Sequence, residues 1–326
     1  MKRRTFLATA LGAIGSSVAC AWSAGGRLHT GTALAFGTII NIAVVHADEK
    51  LARRAINAAL DAAQQVDRLM SIYHADSQVF RLNRDGVLHQ PDPQLLAVLE
   101  QARGLSLLTD GAFDISVQPL WHAYSVAAAR GTLPDAQQQD RALALVDWRG
   151  VKSSKSRIVL ARPGMAVTLN GLAQGYAADV ALAAVRAHGI EHALLDTGEF
   201  AARGRKHGQP WTLGVRAQRD PQALAATLHL DGRAMATSGD YEMAFTPDYL
   251  HHHIFDPKAG CSPPQLASVT VLAHSAMLAD GLSTACMVLG ADKAMALAAR
   301  LPGLDLLAID KAGRAWRSAG FPPETA

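Results

Sequence analysis

Apolar, β-branched residues crowd GTALAFGTIINIAVVHAD from Gly31 and predict a β-strand. The pattern changes at once in EKLARRAINAALDAAQQVDRLMS, whose apolar positions recur with the period of an amphipathic helix. MSIYHADSQVFRLNRDG reads as a turn, and DPQLLAVLEQARGLSLLTDG as a second helix. From Gly131 to Arg149 the chain is polar and irregular, with room for one more helix. SRIVLARPGMAVTLN predicts a hairpin of two strands turning at Pro163-Gly164. The best-defined unit is NGLAQGYAADVALAAVRAHGIEHALLDTGEF. There a strand ends at Leu169, a glycine-bearing loop follows, a helix runs from Tyr176 to His188, Gly189 stops it, and Ala193 to Asp196 begin a new strand. Further strands fall in PWTLGVRA, ATLHLDGRAMATSG and ASVTVLA, before a helix from Met277. Strands and helices without a regular βαβ period point to an α+β fold of mixed sheets and packed helices.

The composition narrows the class. With 326 residues, 49% apolar and 18% charged, the chain is long enough for a large core or for two closely packed lobes. The formal charge of +3 is small, and the basic residues form no run or aromatic-interleaved stripe, so nucleic acid is not expected as a partner.

MKRRTFLATALGAIGSSVACAWSAGG at the start has the form of an export signal, with a basic Lys2-Arg3-Arg4, an apolar stretch from Phe6 to Ala21 and small residues at the cleavage region. Residues 1–24 are assigned to it, and residues 25–326 to a single domain. Arg3-Arg4 before Thr5-Phe6-Leu7 resembles the twin-arginine type, which exports folded proteins to the periplasm. Cys20 after Val18-Ala19 half resembles a lipoprotein cleavage box, with Ser17 where a larger aliphatic residue is usual, so membrane association through lipid is the alternative. Cys261 and Cys286 would remain after cleavage, too few for a disulfide framework.

Five segments carry candidate chemistry. In YLHHHIFDPKAG, His251, His252 and His253 precede the Phe255-Asp256-Pro257 turn. The run lies inside the chain, so it is no affinity tag, and extended neighbours point to opposite faces, so all three cannot reach one ion. His251 and His253 share a side, which leaves one of them as the working imidazole. In LNGLAQGYAAD, Gly171 and Gly175 lead from strand to helix, where free N–H groups favour an anion; a plain turn is the other reading. In MLADGLSTACMVLG, Asp280 and Thr284 lie one turn apart on a helix. Together they either suit a hard cation such as Mg2+, or act as cap and packing residue. In TDGAFDISV, Asp114 is bracketed by apolar residues and needs a polar partner. Met70 and Tyr73, in MSIYHADS, are either core packing or an apolar wall for a flat ring.

Taken together and in order, MSIY, GAFDISVQPLW, LNGLAQGYAAD, LLDTGEF, TSGDYE, HHIFDPKAG and ADGLSTACMVLG resemble the ApbE family, the FAD:protein FMN transferases, from about Gly37 to Gly290. The resemblance implies an ApbE-like, T-fold-like architecture. It further implies a Mg2+-dependent enzyme that moves the FMN half of FAD onto a threonine or serine of another protein and releases AMP. The expected acceptor is an exported or membrane-bound flavoprotein of an electron-transfer complex. By the same resemblance His253, directly before the turn, is the catalytic histidine. Mg2+ would be held by Asp280, Thr284 and the backbone oxygen of Ala173. Met70, Tyr73, Ala112, Phe113, Asp114, Thr168, Asn170, Gln174 and Ile254 would line the FAD site. Two positions depart from the family's pattern, Thr168 where many members carry Asp, and Gln174 where a charged residue, often Lys, is usual. A glutamine can hydrogen-bond a ring or a ribose but cannot offset phosphate charge, so Gln174 bears on flavin affinity. Two other functions fit the same segments: a periplasmic FAD pyrophosphatase giving FMN and AMP, and a flavin carrier without chemistry.

Overall fold

Phe36 and Gly37 both take positive φ, 53° and 73°, and the two-residue turn they make folds the first apolar segment back on itself. The single strand expected from Gly31 is therefore a hairpin, β1 (Arg27–Ala35) and β2 (Thr38–His46), with Ala35 paired to Thr38 across the turn. The structure, a computed structural model, describes residues 26–220 and 222–323. The export signal and Cys20 lie outside the described residues.

Helix α1 (Glu49–Met70) is capped by the Asp48 side chain, which accepts the Leu51 N–H, and it buries Ala52, Ala55, Ile56, Ala59, Ala63 and Val66 along one stripe. The segment expected as a turn holds α2 (Gln78–Asp85), opened by the Ser77 hydroxyl and closed by Gly86 in the left-handed conformation. It buries only Val79 and Leu82, too few positions for a period to show in the sequence. β3 (Val87–His89), α3 (Pro93–Leu108), α4 (Gln118–Ala128), α5 (Ala136–Leu143), β4 (Val151–Ser153) and β5 (Arg157–Leu160) follow. The hairpin expected about Pro163-Gly164 does not form. β5 pairs with β3 and β4 instead. Val167 exchanges two hydrogen bonds of 2.7 Å with the Asn83 side chain, and the Thr168 N–H donates to the Ile115 carbonyl at 2.8 Å. A side chain thus takes the place of the second strand.

Helix α6 (Ala173–Ala187) begins at Ala173 rather than at the expected Tyr176. Then come β6 (Ala193–Asp196), β7 (Phe200–Arg203), β8 (Thr212–Arg216), β9 (Leu224–His229), β10 (Ala234–Gly239), β11 (Leu266–Ala273) and α7 (Ala276–Leu289). The described chain closes with α8 (Ala291–Arg300), β12 (Asp305–Asp310) and β13 (Ala315–Arg317). Among the described residues, eight strands form one sheet in the order β1-β2-β6-β7-β10-β11-β12-β13, beside the β3-β5-β4 sheet and the β8-β9 ribbon. The ladders among the described residues are antiparallel, which bears out the α+β class.

Strand alternation divides the core between the two faces of the large sheet. Ala236, Val269, Val271 and Leu306 join α1, α6 and α7 in the main cluster. Met235, Leu272, Leu307 and Ile309 meet Trp211, Leu213 and Leu228 of the ribbon on the other face. β11 is buried at every position because both faces are covered. This burial holds the N-terminus of α6 against α7, where the candidate residues meet.

Candidate active site

The two glycines of the LNGLAQGYAAD loop sit against helix α7. A Cβ on Gly175 would lie 2.4 Å from the Ala276 carbonyl oxygen and 2.8 Å from the Asp280 Cβ, and one on Gly171 would lie 2.9 Å from the Thr284 hydroxyl. Their lack of a side chain therefore lets the start of α6 touch the two oxygen-bearing residues of α7. The Asp280 carboxylate accepts the Gly175 N–H at 3.1 Å. Ser275 caps α7, so Asp280 is not its cap. Asp179 of α6 secures the contact by accepting the N–H groups of Ala276 and Met277 at 2.8 and 3.0 Å. The Thr284 hydroxyl lies 3.2 Å from that of Ser238, which lies 2.7 Å from that of Ser283.

Asp280 is 4% exposed. Burial pushes its carboxyl up to about 7, against the opposing pull of the Gly175 N–H. Glu199, directly before β7, is also buried. It accepts the Thr237 N–H at 3.1 Å, and burial, then the charge of Asp280, hold its carboxyl well above the ordinary range. Glu199 carried no assigned role in the sequence, yet it stands between Gly198 and Phe200 as Asp114 stands between Phe113 and Ile115, the same sign of a buried carboxylate.

Among the described residues, no lysine, arginine or histidine pairs with Asp280 or Glu199. Nor do three or more His, Cys, Asp or Glu side chains gather into a metal cage there. Two buried carboxylates without a cationic side chain, on the helix that also carries the Thr284 hydroxyl or packed against it, fit Mg2+, which takes few protein ligands and leaves its other positions to water and phosphate.

The flavin-side residues are placed variously. Asp114 accepts the Ser116 N–H and hydroxyl at 2.7 and 2.6 Å and the Trp148 N–H at 3.0 Å. It thus ties its own loop to the turn at Trp148, and burial raises its carboxyl. Phe113 lies 3.5 Å from the Cβ that Gly171 lacks, so the two loops meet. Ala112, Phe113 and Ile254 are buried. Thr168 is half-buried, its hydroxyl accepting the Asn170 N–H at 3.2 Å, and Asn170 is exposed. Gln174 turns its amide to the Thr197 carbonyl at 3.1 Å, while the Thr197 hydroxyl donates to the Gln174 carbonyl at 2.8 Å. Tyr73 is exposed and stands edge-on to Trp121, ring centroids 6.4 Å apart. Met70 is 1% exposed, inside the main core. Of its two readings, core packing is the one observed.

The histidine run lies on a hairpin in which the Phe245 N–H donates to the His251 carbonyl at 2.7 Å and the His253 N–H to the Met243 carbonyl at 3.0 Å. His252 points inward and is fully buried. Its N–H donates to the Ser262 hydroxyl at 2.8 Å, and its ring lies 3.3 Å from the Pro263 carbonyl. His251 packs on the Tyr124 ring, centroids 6.1 Å apart. His253 is half-buried with Nδ1 3.3 Å from the Met243 carbonyl, and burial lowers its pKa. The imidazole is therefore neutral near pH 7 and able to accept a proton. Cys261 and Cys286 are both free thiols.

The sequence profile of the ApbE family matches residues 36–308. The chain belongs to the ApbE family. Among its ApbE relatives, the FAD:protein FMN transferase of Salmonella typhimurium is 32% identical, over 87% of this chain and 86% of that protein. The FAD:protein FMN transferase of Treponema pallidum is 30% identical, over 93% of this chain and 90% of that protein. The crystal structure of the ApbE protein of Thermotoga maritima superposes with a TM-score of 0.82 at 28% identity, covering 91% of this chain and all of that one (100%).

Proposed function

We propose that this protein is a Mg2+-dependent FAD:protein FMN transferase, acting on a threonine or serine of an exported or membrane-bound flavoprotein. The observation that carries the reading is the seating of Gly171 and Gly175 against Thr284 and Asp280, in a chain whose relatives bear that activity in their names. The acceptor hydroxyl oxygen bonds to the flavin-side phosphorus of FAD. The bond from that phosphorus to the bridging oxygen breaks, AMP leaves with that oxygen, and the hydroxyl proton passes to neutral His253. Held by Asp280, Thr284 and the Ala173 carbonyl, Mg2+ would supply neutralising charge to the pyrophosphate. Phe113, Thr168, Asn170 and Ile254 are read as the flavin side of the site.

The test is incubation of the purified protein with FAD, Mg2+ and candidate exported flavoproteins, followed by in-gel flavin fluorescence of the acceptor. Fluorescence in the acceptor band that needs both enzyme and Mg2+ is expected. Loss of FAD without any fluorescent acceptor would favour the pyrophosphatase.

Arg3-Arg4 and the apolar stretch to Ala21 support export to the periplasm, with residues 25–326 working as one transferase unit. Changing both arginines to lysine should trap the precursor in the cytoplasm. Undiminished export would point to the general secretory route.

A further inference from the structure

Asp240 directly follows β10, with its carboxylate fully buried. It accepts two parallel N–H bonds from the Arg219 guanidinium at 2.7 and 2.8 Å, and one from Lys311 Nζ at 2.7 Å. Arg219 comes from the loop between β8 and β9, and Lys311 from the turn between β12 and β13. Both cations also reach Tyr249. Lys311 Nζ donates to the Tyr249 carbonyl at 2.7 Å, and the Arg219 guanidinium stacks 4.2 Å over its ring. Tyr249 has a φ of 59°, a conformation a bulky residue keeps only where its surroundings impose it. It lies in the turn of the hairpin that carries His253, its N–H donating to the Thr246 carbonyl at 3.2 Å.

We propose that Asp240, Arg219 and Lys311 form a latch that fixes the Tyr249 turn and thereby positions His253 for transfer, with Lys311 as the positioning residue that joins the sheet to the hairpin. The inference rests on the proton-accepting role assigned to His253 above. The hairpin is a narrow ladder, so a turn released at Tyr249 loosens the arm whose other end is the His253 to Met243 bond. His252, tied to Ser262 and Pro263, anchors the arm's base, while the latch anchors its tip. A proton acceptor displaced by about 1 Å can lose roughly a hundredfold in rate while the flavin remains bound.

The test compares Lys311→Met, Lys311→Arg, His253→Ala and the Lys311→Met/His253→Ala double variant, measuring kcat for acceptor flavinylation and the Kd of FAD by fluorescence quenching. Lys311→Met leaves Asp240 paired with Arg219, so folding is expected to be retained. Its kcat should fall about ten- to hundredfold with Kd changed by less than about twofold, and Lys311→Arg should restore most of the rate. The double variant should be no slower than His253→Ala, because the latch acts through that imidazole. If Lys311→Met fails to fold, Arg219→Lys carries the same expectation, since it keeps the charge and loses the planar stack on Tyr249. A wild-type kcat in Lys311→Met beside an impaired His253→Ala, or losses that multiply in the double variant, would overturn the latch alone. A silent His253→Ala would overturn the histidine assignment and the latch with it.

Discussion

The carboxylate of Asp280 and the backbone of Gly175 are joined by a 3.1 Å hydrogen bond, and the glycine has no side chain because α7 occupies that space. Gly175→Ala would drive a methyl group to 2.4 Å from the Ala276 carbonyl oxygen, backbone that cannot rotate away. The variant should lose about 1–3 kcal/mol of stability and part of its affinity for Mg2+. Thermal melting with and without Mg2+ checks both; a variant that melts and responds to Mg2+ like the wild type would show that the helices part without cost.

Asp280→Asn separates the carboxylate's charge from its shape. With the metal-free carboxyl raised to about 7 from an ordinary 3.8, the folded protein favours the protonated form. Its contribution to stability is therefore greatest at low pH, declines as pH rises above the unfolded value, and is lost beyond about 7. The metal-free wild type should consequently gain melting temperature between pH 8 and pH 6 relative to Asp280→Asn. Mg2+ should raise the wild-type melting temperature at pH 8 and leave the variant unmoved. An equal Mg2+ response in both would remove Asp280 from the cation site.

His252 is expected to set an acid limit. Burial, then the neighbouring His253 and Lys311, lower its pKa to about 4 from 6.5. Its stabilising contribution is complete above the unfolded value and is lost as pH falls from about 6.5 towards 4, by about 3 kcal/mol in all. Urea unfolding of His252→Gln should show a shallower loss of stability across that window than the wild type. Parallel curves would mean that the buried imidazole does not titrate with unfolding.

The parts of this site that were legible in the sequence are those that depend on local spacing. Asp280 and Thr284 fall on one helix face because four residues make about one turn, and the alternation of an extended arm separates His252 from His251 and His253. Long-range contacts were not legible. Nothing local shows that Asn83 of α2 would bind Val167 and so replace a strand, or that Gly171 and Gly175 would face α7. Met70 carried the same apolar signal whether it faced a ring or the core, and only its burial in the main cluster decides that. Glu199 was legible in kind, as a carboxylate between Gly198 and Phe200, but its proximity to Asp280 comes from the sheet order that places β7 beside β10.

The measurement that bears most directly on the central claim is a product balance for wild type, His251→Ala, His252→Ala and His253→Ala, each supplied with FAD, Mg2+ and an acceptor flavoprotein. Released AMP and free FMN are counted by chromatography, and covalently bound flavin by intact mass of the acceptor. The wild type should release one AMP for each flavin bound, with little free FMN. His253→Ala should lose roughly two to four orders of magnitude in rate while binding FAD as before, and His251→Ala should remain close to wild type in rate. AMP matched by free FMN with an unmodified acceptor, or an undiminished rate in His253→Ala, would contradict the account.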